Sequence, residues 1–285
     1  MLPTVFHVPA RSLACQALSI NGDHSDVMAT RNTGYAMISS ASVQEAMDLA
    51  AVAHLSTVES KIPFLHFFDG FRTSHELSKI EVIDYETLKS MLNTEAFSAF
   101  KNNALSPNHP VCKVGAETPD IYFQGRETVN KYYTETPKIV KKYMKLLAEK
   151  TGRKYSLFDY IGSPTAEKIV ISMASSNEVI EEAINYLNQK GENVGAIKVR
   201  LYRPFSIKDF TDAIPKTVKK IAVLDRTKEP GAIGEPLYMD VVTALKDRKD
   251  SLIIGGRYGL SSKEFTPSMV KAVFDHLDNE AFHDF

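Results

Sequence analysis

The chain has 285 residues, 44% apolar and 24% charged, an ordinary globular composition with enough apolar side chains for the cores of about two domains. Lys and Arg number 34 against 35 Asp and Glu, a net charge of −1, which gives no electrostatic footprint for a nucleic-acid or membrane partner. Only Cys15 and Cys112 are present; an iron–sulfur cluster takes about four thiolates, so this chain alone holds none, and the pair reads as two buried thiols of a reduced compartment.

In chain order, residues 5–8 read as a short strand and 12–20 as an apolar helix or loop. Residues 1–10 have neither the basic region nor the long apolar region of a signal peptide, and no run approaches the ~18–20 residues of a membrane helix. Residues 22–32 are a polar loop and 36–39 a strand. Ser42 with Glu45 has capping-box spacing, and Ala46, Leu49, Ala50 and Ala53 recur at helical intervals, so a helix over 43–60 is expected. Pro63 precedes an aromatic strand at 64–68. Strand, helix and strand in that order make a parallel βαβ unit. Residues 81–83 are a strand candidate, 85–100 one amphipathic helix, 102–120 irregular, and 137–151 a helix with a solvated Lys-rich face.

Strand and helix patterns then alternate: strands at 168–173, 196–201, 220–225 and 252–255, and helices at 178–190, 207–213, 234–246 and 265–277. Gly191 and the Thr266-Pro267 pair punctuate them. The pattern is that of a doubly wound parallel domain. The expected fold class is α/β, divided into residues 1–155 and 156–285.

The chemistry-bearing motifs are sparse. Gly255-Gly256-Arg257-Tyr258-Gly259 and the 229–236 segment are glycine-bearing, but neither is followed by the Lys-Ser/Thr of a phosphate loop, and both read as turns or domain contacts. Asp23, His24, Asp26, Asp69, His75 and Glu76 are metal-ligand types whose convergence a sequence cannot display, so no metal site is assigned. Arg11, Arg31 and Arg72 follow strand ends or lie in loops, where open α/β sheets bind ligands. A guanidinium there suits a carboxylate or phosphate, although a salt bridge within the fold is the simpler use of any one of them.

Longer blocks carry more. Phe6-His7-Val8-Pro9-Ala10-Arg11, Asn21-Gly22-Asp23-His24-Ser25-Asp26, Arg31-Asn32-Thr33-Gly34-Tyr35-Ala36 and His66-Phe67-Phe68-Asp69-Gly70-Phe71-Arg72-Thr73-Ser74-His75-Glu76 occur in order. They are followed by Asp120-Ile121-Tyr122-Phe123-Gln124-Gly125-Arg126-Glu127, Lys198-Val199-Arg200-Leu201-Tyr202-Arg203-Pro204-Phe205, Leu224-Asp225-Arg226-Thr227-Lys228-Glu229-Pro230-Gly231 and Gly256-Arg257-Tyr258-Gly259-Leu260. Together these resemble the pyruvate:ferredoxin (flavodoxin) oxidoreductases over nearly the whole chain. The resemblance implies the C-terminal part of a thiamine-diphosphate (pyrimidine-binding) domain, followed by a doubly wound domain like the C-terminal domain of transketolase.

It further implies an enzyme that decarboxylates pyruvate oxidatively to acetyl-CoA and CO2. Thiamine diphosphate with Mg2+, [4Fe–4S] clusters, coenzyme A and ferredoxin or flavodoxin would take part, in a homodimer. Arg11 occupies the position of the family's substrate arginine, which pairs with the pyruvate carboxylate. The other site residues of the family have no counterpart here. The matching glutamate and threonine would precede Met1, and the Mg2+–diphosphate domain, coenzyme A domain and cluster cysteines would follow Phe285. The expectation is therefore an internal fragment that contributes to a site it cannot complete. The alternatives are a non-catalytic scaffold, a decayed product, or a related NADP-linked pyruvate oxidoreductase. The cytoplasm is the expected compartment, with a hydrogenosome-like organelle open for a eukaryotic source.

Overall fold

Strand β1 (Val5–Ala10) is followed by a loop and the short helix α1 (Ser25–Ala29), then by β2 (Ala36–Ser39), α2 (Val43–Ser60) and β3 (Phe64–Asp69). β3 lies between β1 and β2 and runs parallel to both, with Val5 opposite Phe64 and Ala10 opposite Asp69. At the start of α2, the Ser42 side chain accepts the Glu45 N–H at 3.2 Å and the Glu45 carboxylate reaches back to the Ala41 N–H at 2.9 Å. The expected capping box thus closes one residue wider than the ideal. The computed structural model describes residues 2–111, 115–279 and 282–285, so Cys112 lies outside the described residues.

The middle of the chain departs from its sequence pattern. The single helix expected over 85–100 is two helices, α3 (Tyr85–Met91) and α4 (Thr94–Asn102), because the Asn93 side chain caps the second by accepting the Ala96 N–H at 3.0 Å. Residues 81–83 form no strand, and α5 (Pro119–Thr128) takes the end of the stretch expected to be irregular. Helix α6 (Asn130–Thr151) begins well before 137 and carries Pro137 inside; there the Thr136 hydroxyl donates to the Tyr132 carbonyl at 2.7 Å. Buried Val140, Tyr143, Met144 and Leu147 recur at helical spacing along α6. The Tyr143 hydroxyl donates to Glu59 of α2 at 2.6 Å, fastening the two helices.

The second half contains β4 (Phe158–Gly162), β5 (Lys168–Met173), α7 (Ser176–Gln189), β6 (Val194–Val199), β7 (Leu201–Arg203) and α8 (Ile207–Ala213). It continues with β8 (Lys220–Asp225), α9 (Pro236–Ala244), β9 (Leu252–Arg257) and α10 (Pro267–Asp278). Its sheet has the order β4-β6-β5-β8-β9, parallel except for the antiparallel edge strand β4. Parallel strands are buried on both faces. Accordingly, Ile169, Ile171 and Val223 join one apolar cluster, and Val170, Ala222 and Leu224 join the other, against α7 and α10.

The strand expected at 196–201 is broken at Arg200. β7 leaves the second sheet and pairs antiparallel with β2, giving the first sheet the order β1-β3-β2-β7. Arg200 is 5% exposed and is held from both sides, by Glu45 of α2 at 2.7 Å and by Asp159 of β4. The Ser39 N–H and hydroxyl donate to the Arg200 and Val199 carbonyls, each at 2.8 Å. The larger apolar cluster consequently runs from Met37 and Phe67 to Leu201 and Val223 without a break. The outer edge of β1 has no strand partner among the described residues.

Candidate functional site

The carboxyl ends of β1 and β3 stand side by side, and the residue after β1 is Arg11. Its backbone is fixed: the Arg11 N–H donates to Asp26 Oδ2 at 3.0 Å, and its carbonyl accepts the Asp26 N–H at 3.3 Å. Burial pushes the Asp26 carboxyl up, against the opposing pull of the Arg11 and Val27 N–H donors. The guanidinium donates to the Pro9 carbonyl at 3.1 Å and lies over the Phe71 ring, 4.7 Å from its centroid. It also rests on the bare Cα of Gly70, where an added Cβ would stand 1.6 Å from Arg11 Nη1. Glycine is required there by contact.

The three arginines singled out in the sequence separate here. Arg31 pairs with Glu229 at 2.9 Å and Arg72 with Glu264 at 3.0 Å, both internal salt bridges. Arg11 is half-buried and has no carboxylate partner among the described residues.

Five of the metal-type residues, Asp23, His24, Asp26, Asp69 and His75, have partners within the fold. Asp23 accepts from Ser12, Ser25 and Ser261, and His75 stacks on Phe71 with ring centroids 4.5 Å apart. His24 donates to, or shares a proton with, Asp69 at 2.8 Å. Among the described residues no cluster of three or more His, Cys, Asp or Glu converges as a metal site. Cys15 is free and exposed, not buried as expected.

Two groupings escaped the sequence reading. Asp69, the last residue of β3, is fully buried and bonded to His24, the Ser175 N–H at 2.8 Å and Arg226 at 3.0 Å. Burial alone would raise its carboxyl, but His24, Arg226 and Ser175 overcome that and hold it well below the usual carboxylate range. Asp69-Gly70 at a strand end was the available signal; two of its partners, Ser175 and Arg226, lie more than a hundred residues away. The second grouping is a file of imidazoles on α2, β1 and β3. His54 Nε2 meets His7 Nε2 at 3.0 Å, His7 Nδ1 meets His66 Nδ1 at 2.8 Å, and His66 Nε2 meets Ser40 Oγ at 2.7 Å.

Two mostly parallel sheets share one apolar core, and an arginine with no carboxylate partner among the described residues stands at the strand ends of the first; this is the class of open α/β proteins. Comparison narrows the class. Residues 1–145 match the family model "Pyruvate flavodoxin/ferredoxin oxidoreductase, thiamine diP-bdg", and residues 166–270 match "Pyruvate:ferredoxin oxidoreductase core domain II". The chain is 61% identical to a pyruvate:ferredoxin oxidoreductase of Moorella thermoacetica over 97% of its length, and 60% identical to a pyruvate-flavodoxin oxidoreductase of Trichormus variabilis, also over 97%. It is 55% identical to a pyruvate-flavodoxin oxidoreductase of a Nostoc species, of which it covers 69%. It belongs to the pyruvate flavodoxin/ferredoxin oxidoreductase family. The chain spans 24% of the length of the Moorella and Trichormus relatives. A solved 2-oxoglutarate:ferredoxin oxidoreductase from Magnetococcus marinus, with 2-oxoglutarate, coenzyme A and succinyl-CoA bound, shares the fold at TM-score 0.59 and 14% identity. That match covers 96% of this chain and 49% of the other.

The matched domain family binds thiamine diphosphate, which makes the glycine-bearing loops a test of fit. A Cβ on Gly256 would stand 2.4 Å from the Phe285 ring, one on Gly234 2.6 Å from the Tyr238 ring, and one on Gly259 3.1 Å from Arg226 Nε. At these three glycines the space is taken by the chain's own side chains.

Proposed function

We propose that this chain supplies the substrate-carboxylate contact of an enzyme that oxidises pyruvate to acetyl-CoA and CO2, with two electrons passing to ferredoxin or flavodoxin. The observation that carries the reading is the Arg11 guanidinium, seated on Gly70 and Phe71 with no carboxylate partner among the described residues. A planar guanidinium takes two bonds to one carboxylate and so fixes which way the neighbouring keto carbon points. Residues 1–155 and 156–285 act as two domains locked through β7, Arg200 and Asp69. Thiamine diphosphate supplies carbanion stabilisation when bound. Its diphosphate and Mg2+, the iron–sulfur clusters and the coenzyme A site belong to further parts of the assembly, a cytoplasmic homodimer. Among the described residues no helix is long and apolar enough to cross a membrane.

The test is a hybrid in which this chain replaces the matching segment of the Moorella oxidoreductase. The hybrid is expected to reduce ferredoxin in a pyruvate- and coenzyme A-dependent reaction. The isolated chain is expected to show no decarboxylation and no iron absorbance near about 400 nm after reconstitution, since one cluster needs about four thiolates. A folded hybrid without pyruvate turnover would contradict the reading.

A further inference from the structure

In an open parallel sheet the ligand crevice lies at the carboxyl ends of the strands, where successive strands are added on opposite sides. In the second sheet that point lies between β5 and β8, since β6 is added on one side of β5 and β8 on the other. Two groups face it. The Ser175 N–H follows β5 at the start of α7, and the Arg226 guanidinium follows β8. Both bind the same carboxylate, and it comes from the first sheet: Asp69 Oδ2 accepts Ser175 N–H at 2.8 Å and pairs with Arg226 Nη1 at 3.0 Å. Oδ1 of Asp69 meets His24 Nε2 at 2.8 Å, and the His24 N–H donates to the Arg226 carbonyl at 2.8 Å. Arg226 is itself oriented by its Nε donating to the Gly259 carbonyl at 3.0 Å. The anion at this switch point is a side chain of the protein.

The two residues after Asp69 are the seat of Arg11. Gly70 lies under the guanidinium and its N–H donates to the Ala10 carbonyl at 3.2 Å. The Phe71 ring lies against both the Arg11 guanidinium, 4.7 Å away, and the His75 imidazole, 4.5 Å away. Phe71 has φ of 60°, and Ala174, just before Ser175, has φ of 58°. Left-handed backbone at a residue with a side chain is strained and persists only where its surroundings fix it. Asp69 is the tie between these two turns.

We propose that Asp69 is a positioning residue for Arg11. The switch-point crevice of the second sheet grips its carboxylate and thereby fixes the Gly70–Phe71 seat that presents the guanidinium to a substrate carboxylate. This rests on the reading of Arg11 given above. The second half of the chain then serves to hold in place a seat built at the strand ends of the first.

The experiment is a double-mutant cycle in the Moorella hybrid, reading pyruvate KM and kcat separately. Asp69→Asn is expected to raise KM about tenfold while kcat falls less than about threefold. In an Arg11→Ala background the same substitution is expected to change KM by less than about twofold. If Asp69→Asn fails to fold, Arg226→Lys replaces it in the same cycle, since it keeps the charge and loses the fixed fork. A lowered Tm with unchanged KM, or a KM effect that persists in full in the Arg11→Ala background, would overturn the proposal. An Arg11→Ala hybrid with unchanged KM would instead remove Arg11 from the site, and the proposal would fall with it.

Discussion

The file of imidazoles makes the fold sensitive to mild acid, and the size of the effect follows from His66. It is 1% exposed, and burial first, then the neighbouring His7 and His54, depress its pKa from an ordinary 6.5 to about 3. His7 and His54 are also lowered, chiefly by burial. A neutral imidazole offers one donor and one acceptor, so Ser40, His66, His7 and His54 can be bonded in one direction along the file. Between pH 6.5 and 3 the unfolded chain takes up a proton on His66 that the folded chain refuses, so stability is present above 6.5 and falls as pH drops toward 3. The loss is about 1.4 kcal/mol per pH unit, or about 2 kcal/mol between about pH 8 and about pH 5. Urea unfolding at about pH 8, 6.5 and 5 measures it. His66→Gln is expected to be less stable throughout but to lose about one proton's worth of slope below 6.5. Equal slopes in the two proteins would refute the argument.

Two further perturbations probe the packing that presents the site. Asp48 is fully buried and accepts Arg153 Nε at 2.6 Å, Nη2 at 2.9 Å and the Tyr155 hydroxyl at 2.7 Å. Arg153→Ala removes the counter-ion of that buried carboxylate, leaving it Tyr155 and Gln44, and is expected to cost about 3 kcal/mol in urea unfolding; a change under about 1 kcal/mol would count against it. A Cβ on Gly22 would stand 2.2 Å from the Gly70 carbonyl oxygen and 2.9 Å from that of Ala10, both backbone atoms. Gly22→Ala is therefore expected to destabilise by about 1–3 kcal/mol and, in the Moorella hybrid, to raise pyruvate KM by displacing Gly70; a wild-type Tm and KM would show that the loops part freely.

Local signals were legible in the sequence where one neighbourhood decides the structure. Ser42 with Glu45 announced α2, and the apolar runs at 64–68, 168–173 and 220–225 announced buried parallel strands. Where the deciding contact is distant, the pattern misled. Residues 196–201 look like one strand because Ala196, Ile197, Val199 and Leu201 are apolar and Lys198 is a single interruption before Arg200. The break falls at Arg200, whose charge needs Glu45 and Asp159 together. Tyr85 to Phe100 keeps one amphipathic period, yet the Asn93 cap divides it. At the site, Arg11 was legible as a strand-end arginine, and the longer sequence block weighted it toward a ligand. Its seat was not legible, because Gly70 and Phe71 matter through contacts with a strand nearly 60 residues earlier. Asp69 stood only among residues of metal-ligand type and was given no role, since two of its partners, Ser175 and Arg226, come from the other sheet.

The most direct test of the account is the pyruvate KM of Arg11→Ala in the hybrid that carries this chain in the Moorella oxidoreductase. A charge-assisted bond of roughly 1.5–3 kcal/mol to the substrate carboxylate predicts a KM raised about 10- to 150-fold, with Tm held near that of the parent hybrid. A KM within about twofold of the parent, in a folded and active hybrid, would contradict the central claim that Arg11 receives the carboxylate.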